Sequence, residues 1–201
     1  GITSDIKKYY STQIDIIDHN WINYFKKQNI DFIQFPNSSQ ITTRILKNKK
    51  LKLDLIIFPG GCDINKEKIN LIRIQNEKKI LKFAIANKIP VFGICHGMQL
   101  INVYFKGKLS KVNGHMKKKI KVKVLEKSLF KKKEVFVKCY HNFGILKKFL
   151  GRDLEILGID NSNSIEIFKH KKYKIYGCMF HPEREKNYKK LNSFIIFTLK
   201  S

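Results

Sequence analysis

Pro90–Ile101 has the sequence PVFGICHGMQLI, which combines an apolar strand, a glycine-flanked turn and the start of a helix. Cys95 lies at the tip of this turn, between Gly93 and Gly97, in the pattern of a nucleophile elbow. The close approach of the backbone favours residues without a Cβ on both sides of the cysteine, and the start of a helix favours its thiolate form. We therefore predict that Cys95 attacks a carbonyl carbon and that the N–H of His96 binds the resulting oxyanion. The alternative is a buried structural cysteine on a glycine-flanked turn.

A second glycine turn follows another predicted strand. Leu53–Phe58 is strongly apolar and leads, after one proline, into Gly60 and Gly61. A long amphipathic helix predicted over residues 69–87 joins this strand to the elbow strand and completes a β-α-β unit. Open α/β sheets bind ligands at the carboxyl ends of their strands, so Gly61 is a candidate for the second oxyanion donor. An ordinary turn at the end of a strand is the alternative.

The rest of the chain predicts further strands and helices around this unit. Before it we predict a strand at residues 1–3 that leads into a polar loop, a helix over 15–28, a strand over 31–36 and a helix over 41–47. After it we predict strands over 119–124, 134–140, 154–159, 164–168 and 174–180, and a final helix over 188–199. The pattern predicts one α/β domain over residues 1–201, with a mostly parallel central sheet flanked by helices and additional antiparallel strands in the C-terminal half.

The high positive charge does not by itself indicate a nucleic-acid partner. The net charge is +25, but four of the 41 basic residues are arginines and the others are lysines scattered along the chain. Base recognition and bidentate phosphate binding favour arginine, so we predict no nucleic-acid partner and expect the charge to steer an anionic substrate. The alternative from a different class is a lysine-rich binding protein without catalysis, which would bind RNA or DNA in a salt-dependent way.

Cysteine usage and hydropathy limit the cellular context. No apolar run approaches the roughly 18 residues that span a bilayer, so no membrane partner is predicted. The cysteines are widely spaced without a C-x-x-C pair, which favours the reducing cytoplasm and argues against a zinc site. No two histidines or carboxylates fall at ligand spacing on one predicted element, so we expect neither a metal nor another cofactor.

The nucleophile also needs a base, and histidine has a suitable pKa. His181 follows a predicted buried strand and precedes Pro182, and Glu183 is spaced to orient its imidazole. We therefore predict a triad of Cys95, His181 and Glu183, against the alternative of a strand-end histidine without a catalytic task. The histidines that compete for the role are His19, His96, His115, His141, His170 and His181.

Four motifs, in this order, resemble the class I glutamine amidotransferase family, which includes the γ-glutamyl hydrolases. They are PGG at residues 59–61, GICHGMQ at 93–99, YHN at 140–142 and HPE at 181–183. The resemblance covers nearly the whole chain, and the start of the chain, with Asp18 and Trp21, is more similar to the free-standing hydrolase branch. It implies the family's flavodoxin-like fold and an acyl transfer through a γ-glutamyl thioester.

The resemblance also implies roles for individual residues. Cys95 would be the nucleophile, His181 the base and then the acid, and Glu183 the residue that orients it. The N–H groups of Gly61 and His96 would form the oxyanion hole. The substrate-binding residues implied are Gly60, Gln99, His141, Asn142 and Phe143.

The lysine-rich segment at residues 110–133, with His115, is the expected source of selectivity for the leaving group. Its lysines suit a phosphate-bearing group, as in the family's hydrolases that remove glutamate from γ-glutamyl-CDP-amidate and yield cytidine diphosphoramidate for capsule phosphoramidate synthesis. We expect γ-glutamyl-CDP-amidate to be the substrate of this protein. A γ-glutamyl-γ-aminobutyrate-type hydrolase and a glutaminase subunit that delivers ammonia to a synthase partner are the alternatives. Neither hydrolase function requires a synthase partner.

Overall fold

The computed structural model describes residues 1–62, 64, 68–130 and 132–200. The helices are α1 (His19–Gln28), α2 (Ser39–Lys47), α3 (Lys68–Ala86), α4 (His96–Tyr104) and α5 (Lys189–Lys200). The strands are β1 (Ile2–Thr3), β2 (Asp5–Tyr9), β3 (Thr12–Ile16), β4 (Gln34–Phe35), β5 (Ile56–Phe58), β6 (Val91–Ile94), β7 (Ser110–Lys111), β8 (Met116–Val124), β9 (Glu134–Tyr140), β10 (Phe143–Gly144), β11 (Leu154–Asp160), β12 (Ile165–His170) and β13 (Ile175–Cys178).

A mixed sheet forms the centre of the protein. In the described part of the chain its strand order is β4-β1-β5-β6-β13-β12-β11-β8-β9. The strands from β4 to β13 are paired in parallel, and the strands from β13 to β9 are paired antiparallel. This arrangement confirms the predicted α/β fold with additional antiparallel strands in the C-terminal half.

Helices cover both faces of the sheet. On β5, Ile57 faces the cluster that contains Trp21 of α1 and Phe194 of α5. Its neighbour Ile56 faces the opposite cluster, which contains Leu81 of α3 and residues of α4. Because both faces are buried, the central strands are apolar along their whole length, which explains why they were recognisable in the sequence.

The N-terminal region differs from the prediction. Instead of a polar loop, the chain forms a hairpin of β2 and β3, with Tyr10 in the left-handed region at the turn (φ 51°). Helix α1 begins at His19 rather than at Asp15, because the Asp18 carboxylate caps it. The hairpin strands carry mostly exposed polar side chains, so they lack the apolar alternation that marks a strand packed on a core.

Other differences are small. The short ribbon of β7 and β10 was not predicted. The strands predicted over 31–36 and 53–58 are shorter, Gln34–Phe35 and Ile56–Phe58. The remaining predicted helices and strands are present, with ends shifted by a few residues.

The three strands that carry the predicted catalytic motifs are neighbours. Phe58 on β5 pairs with Gly93 on β6, and Cys178 on β13 pairs with Ile94 on β6. The strands are parallel, so the segments that follow them emerge at the same edge of the sheet. None of the helices in the described residues is long and apolar enough to span a bilayer.

Candidate active site

Cys95 has the backbone conformation of a nucleophile elbow. Its φ of 49° and ψ of −101° are unusual for a residue with a side chain and produce the sharp turn from β6 into α4. The Cys95 N–H donates to the Cys178 carbonyl oxygen (2.8 Å), and its carbonyl oxygen accepts from the Gln99 N–H (2.9 Å). These bonds hold the thiol at the N-terminus of α4, with the residue 7% exposed.

The glycines on either side of Cys95 are required by packing. A Cβ on Gly97 would collide with the carbonyl oxygen of Phe58, and a Cβ on Gly93 would lie 2.7 Å from the Gly97 backbone. Helix α4 therefore approaches β5 and β6 more closely than any residue with a side chain would allow. This is the physical reason for the spacing of the elbow motif.

His181 and Glu183 meet beside Cys95. His181 Nδ1 donates to Glu183 Oε1 (2.6 Å), and both residues are buried. Burial opposes the charged imidazole, but the Glu183 carboxylate and a hydrogen bond with the Cys95 side chain raise the pKa of His181 to about 10. An imidazolium beside a sulfur stabilises the thiolate, which is the nucleophilic form. The arrangement therefore places a group that can hold and release a proton beside the sulfur.

The predicted oxyanion donors lie on the two segments next to the sulfur. His96 is the first residue of α4, where backbone N–H groups have no partner within the helix. Gly61 has a φ of 152°, and a Cβ there would collide with the Arg73 guanidinium. A Cβ on Gly60 would collide with the His181 ring, so two glycines allow this loop to lie against both cationic side chains. Gly60, Gly61 and Cys95 line the same cleft.

A buried arginine that was not predicted holds the Gly60–Gly61 loop. The Arg73 guanidinium is fully buried and donates to Pro59 O (2.8 Å), Asp5 Oδ1 (2.6 Å) and Glu77 Oε1 (2.9 Å). Asp5 Oδ1 in turn accepts from the N–H of Cys62 (3.2 Å). The loop is therefore fixed at both ends by groups on β2 and α3.

The His96 side chain joins the same network. Its Nδ1 donates to the Cys62 carbonyl oxygen (2.7 Å) and its Nε2 to Glu77 Oε2 (2.7 Å). Burial favours the neutral form of Glu77, yet Arg73 and His96 lower its pKa to about 2. The sequence contained one indication of this network. Arg73 and Glu77 are four residues apart on the predicted helix, a spacing that favours an ion pair.

We expect Arg73→Gln to lower kcat/KM about 10²-fold, since removal of an oxyanion-hole donor has an effect of this size in other hydrolases. The physical reason is displacement of the Gly61 N–H. Alkylation of Cys95 by iodoacetamide forms no oxyanion, so its rate should stay unchanged. Arg73→Lys should recover part of the lost turnover.

Exposed Arg44, on α2, provides the matched control. Arg44→Gln should change neither kcat/KM nor the rate of alkylation by iodoacetamide. If alkylation and turnover decline together in Arg73→Gln, the arginine maintains the fold rather than the position of the loop.

The cleft at Cys95 has a volume of about 440 Å³. The β2–β3 hairpin, which was not predicted, forms one wall. Several charged or aromatic side chains line this cleft beside Cys95, His181 and Glu183. They include Asp5, Lys7, Asp18, Trp21, Tyr140 and Arg184.

The other predicted substrate-binding residues are Gln99, His141, Asn142 and Phe143, which do not belong to the described lining of this cleft. Gln99 Nε2 and His141 Nδ1 both donate to the Phe143 carbonyl oxygen, at 2.8 and 3.1 Å. Both side chains are buried, whereas Asn142 and Phe143 are exposed. Among the described residues that line the cleft, none of these four is present. The structure thus places Gln99 and His141 as supports of the loop that contains Asn142 and Phe143.

Among the described residues of the lysine-rich segment, Lys119 comes nearest to this cleft. Lys119, on β8, lines a neighbouring cleft of about 480 Å³ together with Lys138 and Lys186. This cleft shares Tyr140 and Arg184 with the cleft at Cys95. His115 instead lies in the interior.

The elbow, the histidine–glutamate pair and the mixed sheet are those of a class I glutamine amidotransferase. The model of the family Glutamine amidotransferase class-I matches residues 13–198, and the chain belongs to this family. It is 32% identical over 180 residues to the γ-glutamyl-CDP-amidate hydrolase of Campylobacter jejuni, covering 88% of this chain and 84% of the relative. It is 33% identical over 151 residues to a subunit of the glutamine-hydrolysing GMP synthase of Methanococcus aeolicus, covering 74% and 72% of the two chains.

Solved structures agree on the fold. A Thermoplasma acidophilum protein described as a GMP synthase subunit superimposes with a TM-score of 0.74, at 23% identity, over 99% of this chain and 93% of that one. A glutamine amidotransferase from Thermotoga maritima gives a TM-score of 0.69 at 16% identity, over 90% and 92% of the chains. The family resemblance inferred from the four motifs is therefore confirmed, and membership supports an amide hydrolase of the glutamine amidotransferase type.

Proposed function

We propose that this protein hydrolyses the γ-glutamyl amide bond of γ-glutamyl-CDP-amidate and releases glutamate and cytidine diphosphoramidate. The observation that carries the proposal is the Cys95–His181–Glu183 arrangement, which opens into a cleft that also contains Lys7 and Arg184. The Campylobacter jejuni relative, which matches over most of both chains, supports the same substrate. The free cysteines fit the reducing cytoplasm, which we propose as the location.

The acylation step follows from the positions of the side chains. The Cys95 thiolate attacks the γ-carbonyl carbon, and the N–H groups of Gly61 and His96 stabilise the tetrahedral oxyanion. The His181 imidazolium then donates its proton to the leaving nitrogen, so the C–N bond breaks and the γ-glutamyl group remains on the sulfur as a thioester.

Deacylation reverses the role of the histidine. Neutral His181 accepts a proton from water as the water oxygen attacks the thioester carbonyl carbon. The N–H groups of Gly61 and His96 again bind the oxyanion that forms. Cleavage of the C–S bond releases glutamate and restores the thiolate beside an imidazolium. Glu183 keeps the ring oriented in both steps through its hydrogen bond with Nδ1.

Cations beside the cleft favour a leaving group that carries phosphates. Arg184 lies over the Tyr140 ring (5.0 Å to the centroid) and is 3.4 Å from Asp18. Lys7 lines the same cleft, and Lys119 lines the adjoining one. A diphosphate attached to the leaving nitrogen would lie within this group of cations, whereas an uncharged amide would not use them.

We expect Arg184→Gln to lower kcat/KM for γ-glutamyl-CDP-amidate about tenfold, the effect of losing one charge-assisted hydrogen bond. The rate with γ-glutamyl-γ-aminobutyrate should decline less, since that leaving group has no phosphate and the contact between Arg184 and Glu183 (3.6 Å) affects both substrates equally. Glutamate release measured with both compounds tests this. Exposed Arg152 is the matched control, and Arg152→Gln should affect neither rate. Equal losses with both substrates would contradict a role for Arg184 in phosphate binding.

A glutaminase subunit is the second candidate, favoured by the match to the Methanococcus aeolicus GMP synthase subunit. Such a subunit would hydrolyse glutamine and would need a synthase for full activity. A higher kcat/KM for glutamine than for either γ-glutamyl amide, together with stimulation by a synthase, would replace the proposed hydrolase with this function.

A further inference from the structure

A cluster of polar side chains lies in the interior near the active site, where none of the catalytic steps uses it. Cys139 on β9, His141 just after β9 and Glu166 on β12 are 0%, 2% and 0% exposed. One ligand atom from each of these three residues lies within 4.8 Å of the others. We name these three residues the interior triad. Polar groups buried this deeply are costly unless they are paired, so the partners of each atom decide what the cluster does.

The hydrogen bonds leave two of these atoms without a partner. His141 Nδ1 donates to the Phe143 carbonyl oxygen, so the proton of the neutral ring is on Nδ1 and Nε2 carries a lone pair. Nε2 has no hydrogen-bond partner and faces Glu166 Oε2 at 3.9 Å, and the second Glu166 oxygen, Oε1, also has none. Glu166 Oε2 accepts from the Cys139 thiol (3.7 Å), and the gap between Oε2 and His141 Nε2 is too long for a hydrogen bond.

The gap has the size of a metal ion. Zinc lies about 2.0–2.1 Å from nitrogen or oxygen and about 2.3 Å from sulfur, so tetrahedral ligands are roughly 3.3–3.6 Å apart. The Cys139 Sγ and Glu166 Oε2 atoms are 3.7 Å apart, and the His141 Nε2 and Glu166 Oε2 atoms are 3.9 Å apart. The sulfur–oxygen separation exceeds the zinc value by about 0.1–0.2 Å, and the nitrogen–oxygen separation exceeds it by about 0.5 Å.

We propose that Cys139, His141 and Glu166 bind a zinc ion. A thiolate, a neutral imidazole and a carboxylate balance the two positive charges of the ion, and the sulfur ligand favours zinc over calcium or magnesium. Binding releases the thiol proton of Cys139 to solvent. The hydrogen bond from Nδ1 to a backbone carbonyl is the usual support of a zinc-bound histidine. On the other side of the carboxylate, His115 hydrogen-bonds Asp160 (2.8 Å) and lies 3.8 Å from Glu166 Oε1.

The ion would stabilise one wall of the catalytic cleft. Tyr140 lies between the two ligands Cys139 and His141 in sequence, and its ring contacts the His181 ring edge to face (centroids 5.7 Å apart). The ion would therefore act on the cleft by holding the segment that contains Tyr140. The proposal rests on the interior geometry alone and does not depend on which γ-glutamyl compound is the substrate.

Metal content and cobalt spectra test this proposal. Cys95→Ala should be used as the parent, so that the catalytic sulfur cannot bind the probe. After treatment with a chelator, the parent should bind one equivalent of Zn²⁺, and Co²⁺ in its place should give a thiolate-to-cobalt charge-transfer band. Cys139→Ser should abolish that band, and Glu166→Gln should weaken zinc binding at least about 100-fold. Cys178→Ser is the matched control, because Cys178 is equally buried, and it should retain the band.

The variants could fail to fold, so X-ray absorption of the zinc-loaded parent provides a second measurement. One sulfur and two or three lighter ligands would support the proposal. Absence of stoichiometric zinc, a shell without sulfur, or unchanged affinity in Cys139→Ser and Glu166→Gln would overturn it and leave the interior triad as a hydrated polar cluster.

Discussion

Cys95→Ser should lower kcat for glutamate release by at least about 10⁴-fold, in line with removal of the nucleophile from other hydrolytic triads. A serine hydroxyl would occupy the same elbow, but an alcohol is far less acidic than a thiol and the His181 imidazolium cannot withdraw its proton. Folding should be unaffected, since the backbone conformation is set by Gly93, Gly97 and the hydrogen bonds of residue 95. Substrate should still bind, so KM or a directly measured Kd should change little.

The matched control is a second buried cysteine close to the first. Cys178 on β13 donates its thiol hydrogen to the Phe180 carbonyl oxygen (3.4 Å), a bond that serine can also make. Cys178→Ser should therefore retain most of the wild-type kcat. Turnover above about 1% of the wild-type rate in Cys95→Ser would exclude Cys95 as the nucleophile.

Glu183→Gln should reduce kcat/KM about 10²-fold to 10⁴-fold and should also change its dependence on pH. In the wild-type protein Glu183 helps to raise the pKa of His181 to about 10, so the imidazolium that protonates the leaving nitrogen persists through neutral pH and is lost near that value. Glutamine removes the negative charge, which lowers the pKa of His181. The alkaline decline of kcat/KM should consequently move towards neutral pH.

Glu185 provides the control for this experiment. It is two residues further along the chain and forms an ion pair with Lys190 rather than with the histidine. Glu185→Gln should leave the pH profile of kcat/KM unchanged. An alkaline limb that stays in place in Glu183→Gln would show that this carboxylate does not set the protonation state of His181.

The catalytic motifs were predictable because each is local. The elbow requires glycines two residues before and after Cys95, and the carboxylate that orients His181 is two residues away. Parallel strands then bring the two segments to the same edge of the sheet, a general property of α/β folds. The positions of Cys95, His181 and Glu183 at one edge of the sheet could therefore be predicted from the sequence, together with the order of the strands that carry them.

The network behind the oxyanion loop was not predictable in the same way. Asp5 and Arg73 are 68 residues apart and meet only because the unpredicted hairpin follows β1. Gln99 and His141 were expected at the substrate, yet their side chains turn to the Phe143 carbonyl inside the protein. The direction of a side chain depends on tertiary packing, which a motif does not specify.

The most direct test of the central claim is to trap the acyl-enzyme. The protein would be mixed with γ-glutamyl-CDP-amidate, quenched with acid during turnover and analysed by intact mass and peptide mapping. We expect a γ-glutamyl adduct on the peptide that contains Cys95, removable by hydroxylamine as a thioester is, and absent from Cys95→Ser. Turnover without any adduct, or an adduct on another residue, would contradict hydrolysis through a Cys95 thioester.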